Sequence, residues 1–358
     1  MNVIFLFPYP LGQSPSQRFR FEQYLEHLAS RGITYSTYPF WSAKTWEILY
    51  KRGHYFTKVA GFIGGVLRRF SVFASAQKAD IVFIHRECMP VGPPIIEWLL
   101  ARVSRKKIIY DFDDAIWLPN TSAENKLVAL IKWHSKVSSV CRWSYKVSCG
   151  NSYLHDFARK YSNNVVINPT TIETESWHNP LLYSISKPAD VVTIGWTGTH
   201  STLKYLDLVI DALQKIEAKF PQVRLVVIAD KKPSLPLNRI VFIPWSKTRE
   251  IEDLLQFDIG IMPLADDIWA KGKCGFKALQ YLSLNIPALA SPVGVNSDII
   301  DHGVNGFLCH DTDDWYEYLK LLIEDAGHRK QMGLNGRRKI IDHYSVSSNL
   351  STFIKLLE

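Results

Sequence analysis

Short apolar runs alternating with stretches of helical periodicity constrain this chain more than any other feature. Runs at 3–8, 33–38, 80–85, 107–111, 147–149 and 164–167 read as strands. Between the first two, Phe21, Tyr24, Leu25 and Leu28 recur at helical spacing and end at Arg31-Gly32. Segment 95–103 reads as a further apolar helix. Strands this short and apolar, separated by helices, belong to parallel sheets covered on both faces. Over 168–190 the periodicity fades among three prolines, the mark of a connection. Alternation then restarts, with strands predicted over 191–195, 223–229, 240–243, 258–262 and 286–290. Helices are predicted over 202–218, 248–255 and 275–284, followed by a helical tail from 313 broken at Gly327 and Gly333. The fold read from this pattern is α/β, with two doubly wound Rossmann-like domains at 1–175 and 176–340. A last helix, 341–358, is expected to pack back toward the first domain. Ligands in such sheets bind beyond the carboxyl ends of the strands, so the site is expected in a cleft that the two domains face.

Composition narrows the class. A chain of 358 residues is comfortable for two cores, and 47% apolar with 21% charged residues is ordinary for a globular protein. Its five cysteines are odd in number and lack metal-ligand spacing, which predicts a reducing cytoplasm. The opening residues, Met1 to Phe7, carry no basic n-region, so no signal peptide is expected. No uninterrupted apolar run approaches the ~20 residues of a membrane span; the longest, 59–67, stops at Arg68-Arg69. The formal net charge of +8 suits a polyanionic partner or an acidic membrane surface. The basic residues fit no nucleic-acid motif, so nucleic acid is not expected as a partner.

Chemistry concentrates between Asp266 and Gly306. Lys271, Lys273 and Lys277 occupy a Gly-containing loop and the first turn of a helix, where unpaired N–H groups and the helix dipole favour an anion. After the following strand, Pro292 and Gly294 turn the chain into a second helix, so two helix starts can converge on one anion. A lysine cluster of this kind is equally well a solvated face. A second loop, Gly195-Trp-Thr-Gly-Thr-His-Ser-Thr-Leu-Lys204, leaves a strand and opens a helix, with Gly195, Thr197, Gly198 and Thr199 suited to phosphate. An N-cap Ser or Thr at a plain turn would satisfy the same segment. Neither a P-loop nor G-x-G-x-x-G is present, which argues against a nucleoside triphosphatase or a dinucleotide enzyme.

The first half ends one strand on Asp111-Phe-Asp113-Asp114 and another on His85-Arg86-Glu87. Three acids at one strand end repel unless a ligand or cation meets them, which favours a functional role over capping. His85, Arg86, Glu87 and Asp114 are candidates for acceptor contact, with His85 equally plausible as a plain buried histidine. Arg18 and Arg20, at the opening of the first helix, can meet an anionic acceptor or donor phosphates.

The run Gly272-Lys-Cys-Gly-Phe-Lys-Ala-Leu-Gln-Tyr-Leu282, followed by Pro287-Ala-Leu-Ala-Ser-Pro-Val-Gly-Val-Asn296, resembles the retaining GT-B glycosyltransferases of family 4, the glycosyl transferases group 1. The likeness is strongest from Gly195 to Leu308, and the first half matches only in layout. It implies a second domain that binds a nucleoside-diphosphate sugar and a first domain that binds a glycan or lipid-linked acceptor. No cofactor and no metal are implied. Lys204 and Lys273 or Lys277 would face the diphosphate, Trp245 would lie near the nucleobase, and Gly294, Val295 and Asn296 would offer N–H groups. The family's E-x7-E falls on Gly272 and Gln280, so the first Glu is absent and Gln280 would meet the ribose diol. Asp113 stands about where the family carries an active-site His and, with His85, is the expected catalytic residue. Rival readings are a nucleotide-sugar epimerase and a non-catalytic sugar-nucleotide-binding scaffold. The expected role is polysaccharide synthesis in the cytoplasm, with docking at the inner face of the plasma membrane. Docking is read from 40–78, where seven Lys or Arg meet one acid, Glu47, among aromatics. Trp46, Leu49 and Tyr50 fall there at helical spacing, with Arg68 and Arg69 counted among the cations.

Overall fold

The computed structural model describes residues 1–119, 132–188 and 190–358; residue 189 of the predicted connection lies outside them. The chain divides into two compact units, Met1–Thr170 with Leu350–Glu358, and Thr171–Asn349. The first boundary thus falls at Thr170 rather than 175, and the returning segment is Leu350–Glu358 rather than 341–358.

In the first unit the strands are β1 (Asn2–Phe7), β2 (Thr34–Pro39), β3 (Ile81–His85), β4 (Lys107–Phe112), β5 (Lys146–Cys149) and β6 (Val165–Ile167). They form one parallel sheet in the order β2-β1-β3-β4-β5-β6. Central β1 and β3 read as unbroken apolar runs because both their faces are covered, whereas β2 lies at the edge and alternates. The returning segment is tied to this unit by Phe353, whose ring stacks on Tyr24 at 4.2 Å and lies 6.0 Å from that of Phe83 on β3. The single helix expected after β1 is instead broken into Pro15–Arg18, a 3₁₀ turn Glu22–Tyr24 and Leu25–Ala29. The break turns Arg20 and Phe21 inward, and both are buried.

Two helices fill the basic-aromatic region, Ala43–Leu49 and Tyr55–Ala76. The second has 22 residues and is long and apolar enough to cross a membrane by length and composition, which counting uninterrupted runs did not show. Its inner face is nevertheless packed on this unit. A methyl group at Gly61 would lie 2.4 Å from the Thr45 side chain, and one at Gly65 would lie 2.7 Å from the Phe40 ring. Arg69 also points inward, donating to the carbonyls of Cys88, Tyr38 and Phe7 at 2.7 Å each. Arg68 donates to the carbonyls of Pro39 and Phe40, and Trp46 packs on Tyr9 with ring centres 4.7 Å apart. These three side chains, expected on a membrane-facing surface, therefore serve the unit's own packing.

The strands of the second unit are β7 (Val192–Gly198), β8 (Val223–Ala229), β9 (Ile240–Pro244), β10 (Ile259–Met262), β11 (Ala288–Ala290) and β12 (Gly306–Leu308). They are again parallel, in the order β12-β11-β10-β7-β8-β9. Strand β12 escaped the sequence reading because three residues show no period. The helix expected over 202–218 begins as 3₁₀ over His200–Val209 and becomes α only over Ile210–Lys219. In the tail the break falls at Asp325, whose side chain caps the N–H of His328 between Thr312–Glu324 and Ala326–Lys339.

Gly333, expected as a break, lies inside Ala326–Lys339. A Cβ there would sit 2.0 Å from the carbonyl oxygen of Asn285, and one at Gly336 would sit 2.6 Å from the Leu282 side chain. The glycines admit a close crossing with helix Phe276–Ser283 rather than ending the helix. In an open helix Gly333→Ala would gain about 0.8–1 kcal/mol. Against a backbone carbonyl it should instead lose about 1–3 kcal/mol, seen as a lower thermal unfolding midpoint. A raised midpoint would show that the crossing yields.

Candidate functional site

The site in the second unit is built where β7, β10 and β11 end. Helix Phe276–Ser283 starts from Gly275, whose φ of +67° is the left-handed conformation that glycine adopts freely. A side chain at Gly275 would strike Ile299 at 2.2 Å and approach Val295 at 3.2 Å. Gly294, at φ +57°, would place a Cβ 2.9 Å from the backbone oxygen of Lys271. The lysine loop and the Gly294–Asn296 turn are thus in backbone contact, and only glycine fits at either meeting point. The helix after that turn, Asn296–Ile299, is one turn long and supplies N–H groups rather than a macrodipole, contrary to the expected second helix start.

Of the lysines and polar groups expected at the donor, Lys271, Lys273 and Asn296 belong to the two segments that meet here. Lys277 Nζ lies 5.4 Å from the centre of the buried Trp196 ring, and Lys273 Nζ lies 5.0 Å from that of Trp269. Lys271 pairs with Asp266 at 3.1 Å. Lys204 is exposed on the 3₁₀ segment, with its ammonium 5.3 Å from the Tyr205 ring. Asn296 is buried and donates to the Ser291 carbonyl at 3.1 Å, while its Oδ1 has no hydrogen-bond partner among the described residues. Gln280 is buried too, donating to Glu250 at 3.3 Å. Trp245 directly follows β9, half-buried, its N–H bonded to Ala229.

The Gly195–Lys204 segment is less of a loop than its sequence predicts. Gly195 and Thr197 lie within β7, because the strand runs on to Gly198. At Gly195 the ring of Phe257 occupies the space of a Cβ, at 2.0 Å, so that glycine answers to packing. Thr197 is buried and its N–H is bonded to the Tyr281 hydroxyl at 3.0 Å. The loop proper begins at Gly198, and Thr199 forms a capping box with Thr202. A pair not foreseen stands beside it. His200 Nδ1 is 2.6 Å from Asp230 Oδ2, and Asp230 Oδ1 accepts the His200 N–H at 2.6 Å. The two are 30 residues apart and meet only because β7 and β8 are neighbours.

In the first unit the acids are met by the chain's own cations. Asp111, at the end of β4, accepts from Arg20, from His85 Nδ1 at 2.8 Å and from Ser148 at 2.6 Å, all fully buried. Burial alone would raise its carboxyl, but Arg20 and then His85 hold it well below the usual carboxylate range. Arg86, at φ +60°, forks onto Asp113 and Asp114 at 2.7 Å each. Burial would lower its guanidinium, but Asp113 and then Asp114 drive it higher still. Glu87 pairs with Lys136 at 2.7 Å. The repulsion that favoured an external cation or ligand is therefore relieved within the unit.

Arg20, expected to meet an acceptor anion, is instead bound to Asp111 beneath the surface, and Arg18 is buried over the Phe19 ring. His85 is inaccessible, and its Nε2 lies 3.3 Å from Ser16 Oγ. Asp113 and Asp114 keep some exposure, with side chains 12% and 18% accessible. Because the Asp111 carboxyl is depressed, the stability it contributes is complete above the unfolded value near 3.9 and fades as pH falls below it. Asp111→Asn strands a buried Arg20 and should cost about 3–5 kcal/mol at pH 7. In urea unfolding the gap to wild type should narrow below about pH 4; a gap constant across pH would assign the loss to packing.

Residues 191–325 match the family described as glycosyl transferases group 1. A search of curated proteins by sequence found no match. Among solved structures, a glycosyltransferase from Rickettsia africae superposes with a TM-score of 0.72 at 13% identity, covering 100% of this chain and 98% of its own. HepE of Anabaena, solved with UDP and glucose, gives 0.64 at 14% identity, covering 100% and 99%. WaaG, a glycosyltransferase involved in lipopolysaccharide biosynthesis, gives 0.62 at 13% identity, covering 99% of each chain. Residues 191–325 of the second unit are thus similar to the glycosyl transferases group 1, and the chain as a whole shares the GT-B fold of these solved structures.

Proposed function

We propose that this protein is a metal-independent, retaining glycosyltransferase that moves a hexosyl group from a nucleoside diphosphate to a glycan or lipid-linked acceptor. On this reading it works in cell-surface polysaccharide synthesis at the cytoplasmic side of a membrane. The observation that carries the proposal is the backbone junction of the lysine loop with Gly294 at the carboxyl ends of β10 and β11. A nucleoside diphosphate leaving a sugar gains negative charge at its terminal phosphate. Lys273, Lys277 and the N–H groups after Gly275 and Gly294 would receive that charge when the donor binds, so catalysis is electrostatic positioning with no proton needed from these groups. The Asn296 Oδ1 suits a sugar hydroxyl, since a buried acceptor otherwise loses its hydrogen bond to water. The Gln280–Glu250 pair offers a diol both an amide and a carboxylate. Asp113, held by Arg86, would face the acceptor hydroxyl or the positive charge developing on the sugar.

The test is release of nucleoside diphosphate from a panel of UDP-, GDP-, ADP- and TDP-sugars. One base class should be turned over, and EDTA should leave the rate unchanged. Lys273→Ala and Lys277→Ala should each weaken nucleotide binding by about 1.5–3 kcal/mol, the range for charged hydrogen bonds. Nucleotide binding without release from any donor would point to a scaffold, and interconversion of the donor sugar to an epimerase. Loss of rate in EDTA restored by manganese would instead assign Asp111 and Asp113 as ligands of a divalent metal.

A further inference from the structure

Helix Tyr55–Ala76 turns an apolar stripe to solvent. Tyr55, Phe56, Val59, Ile63, Leu67 and Phe70 are each more than half exposed, with Phe56 at 94%. Their spacing of mostly three and four residues puts them on one side of the helix, over about 21 Å from Phe56 to Phe70 at 1.5 Å per residue. A contiguous row of large apolar side chains marks a surface that something else covers.

We propose that this stripe lies in the headgroup boundary of an anionic membrane leaflet, with the helix parallel to the surface. Charge selects the occupant. Exposed Lys44, Lys51 and Arg52 gather before the stripe, half-buried Lys58 stands beside it, and Glu47 is the one carboxylate between 40 and 78. A second copy seated on the same stripe would press these cations against each other, whereas an anionic leaflet answers them. Packing selects the orientation. The opposite side of the helix is locked by Gly61 on Thr45, by Gly65 on Phe40 and by Arg69 on three carbonyls. A helix crossing the bilayer would surrender those contacts and carry a guanidinium into hydrocarbon, while one lying in the interface keeps them. This gives the transferase a surface from which to meet a lipid-linked acceptor and rests on that reading only for the acceptor; the docking itself stands on the helix.

Co-sedimentation of the full chain with vesicles of phosphatidylcholine, alone or mixed with phosphatidylglycerol, tests the proposal. Wild type should pellet with the mixed vesicles, remain in the supernatant with the neutral ones, and be released by salt. Phe56→Glu combined with Leu67→Glu should weaken vesicle binding at least about tenfold. Both positions are exposed, so the thermal unfolding midpoint should hold. Lys51→Glu with Arg52→Glu, which leaves the stripe intact, should weaken binding to the mixed vesicles as well. Wild type recovered in the supernatant with both vesicle types while still binding a nucleoside diphosphate would overturn docking and leave the transferase reading standing. A dimer abolished by the glutamate substitutions would assign the stripe to a second copy, and resistance of the bound protein to carbonate extraction would assign it to a span; either result overturns the proposal.

Discussion

Parallel pairing throughout both sheets is the constraint from which the rest follows. When every strand of a unit runs the same way, all its carboxyl ends, and the loops leaving them, open on one edge. In the second unit that edge brings the lysine loop after β10 against the Gly294 turn after β11, although the two are separate in sequence. In the first unit it brings His85 and Ser148, from the strands on either side of β4, onto the buried carboxylate of Asp111.

The two edges use charge differently. The first unit neutralises its acids internally, with Arg20 on Asp111 and Arg86 on Asp113 and Asp114. A carboxylate bound in this way fixes the ends of β3, β4 and β5 relative to the broken helix that delivers Arg20. In the second unit, Lys273 and Lys277 rest over aromatic faces, which hold a cation loosely compared with a buried carboxylate. The cations of the second unit thus lie beside a glycine-lined backbone junction, whereas Arg20 and Arg86 of the first unit are committed to its own carboxylates.

Much of this was legible in the sequence, and the failures have physical causes. Apolar runs showed eleven of the twelve strands among the described residues, because a buried parallel strand such as β8 has few polar residues to disguise it. Strand β12 is too short to have a period. The meeting of the lysine loop with the Gly294 turn was expected from residue type alone, since glycine permits a close approach wherever the chain puts it. Long-range pairing was invisible. Nothing local in Arg20, Arg69 or His85 announces that each would be buried against groups from other strands. Glycine was misread for the same reason: Gly195 and Gly333 make room for Phe257 and Asn285, partners far away in the chain. The exposed stripe on Tyr55–Ala76 was blurred in sequence by the inward Arg69, which a linear count of basic residues places on the wrong side.

Whether the lysine loop and the Gly294 turn hold a diphosphate is decided by comparing calorimetric affinities of a nucleoside diphosphate and its parent nucleoside. If the junction binds phosphate, the diphosphate should bind at least about a hundredfold tighter, as expected when two or more charge-assisted hydrogen bonds are made. That advantage should shrink as salt is raised, because the contacts are ionic and partly exposed. Equal affinity for the two, unmoved by salt, would contradict the account and leave the lysines as a solvated face.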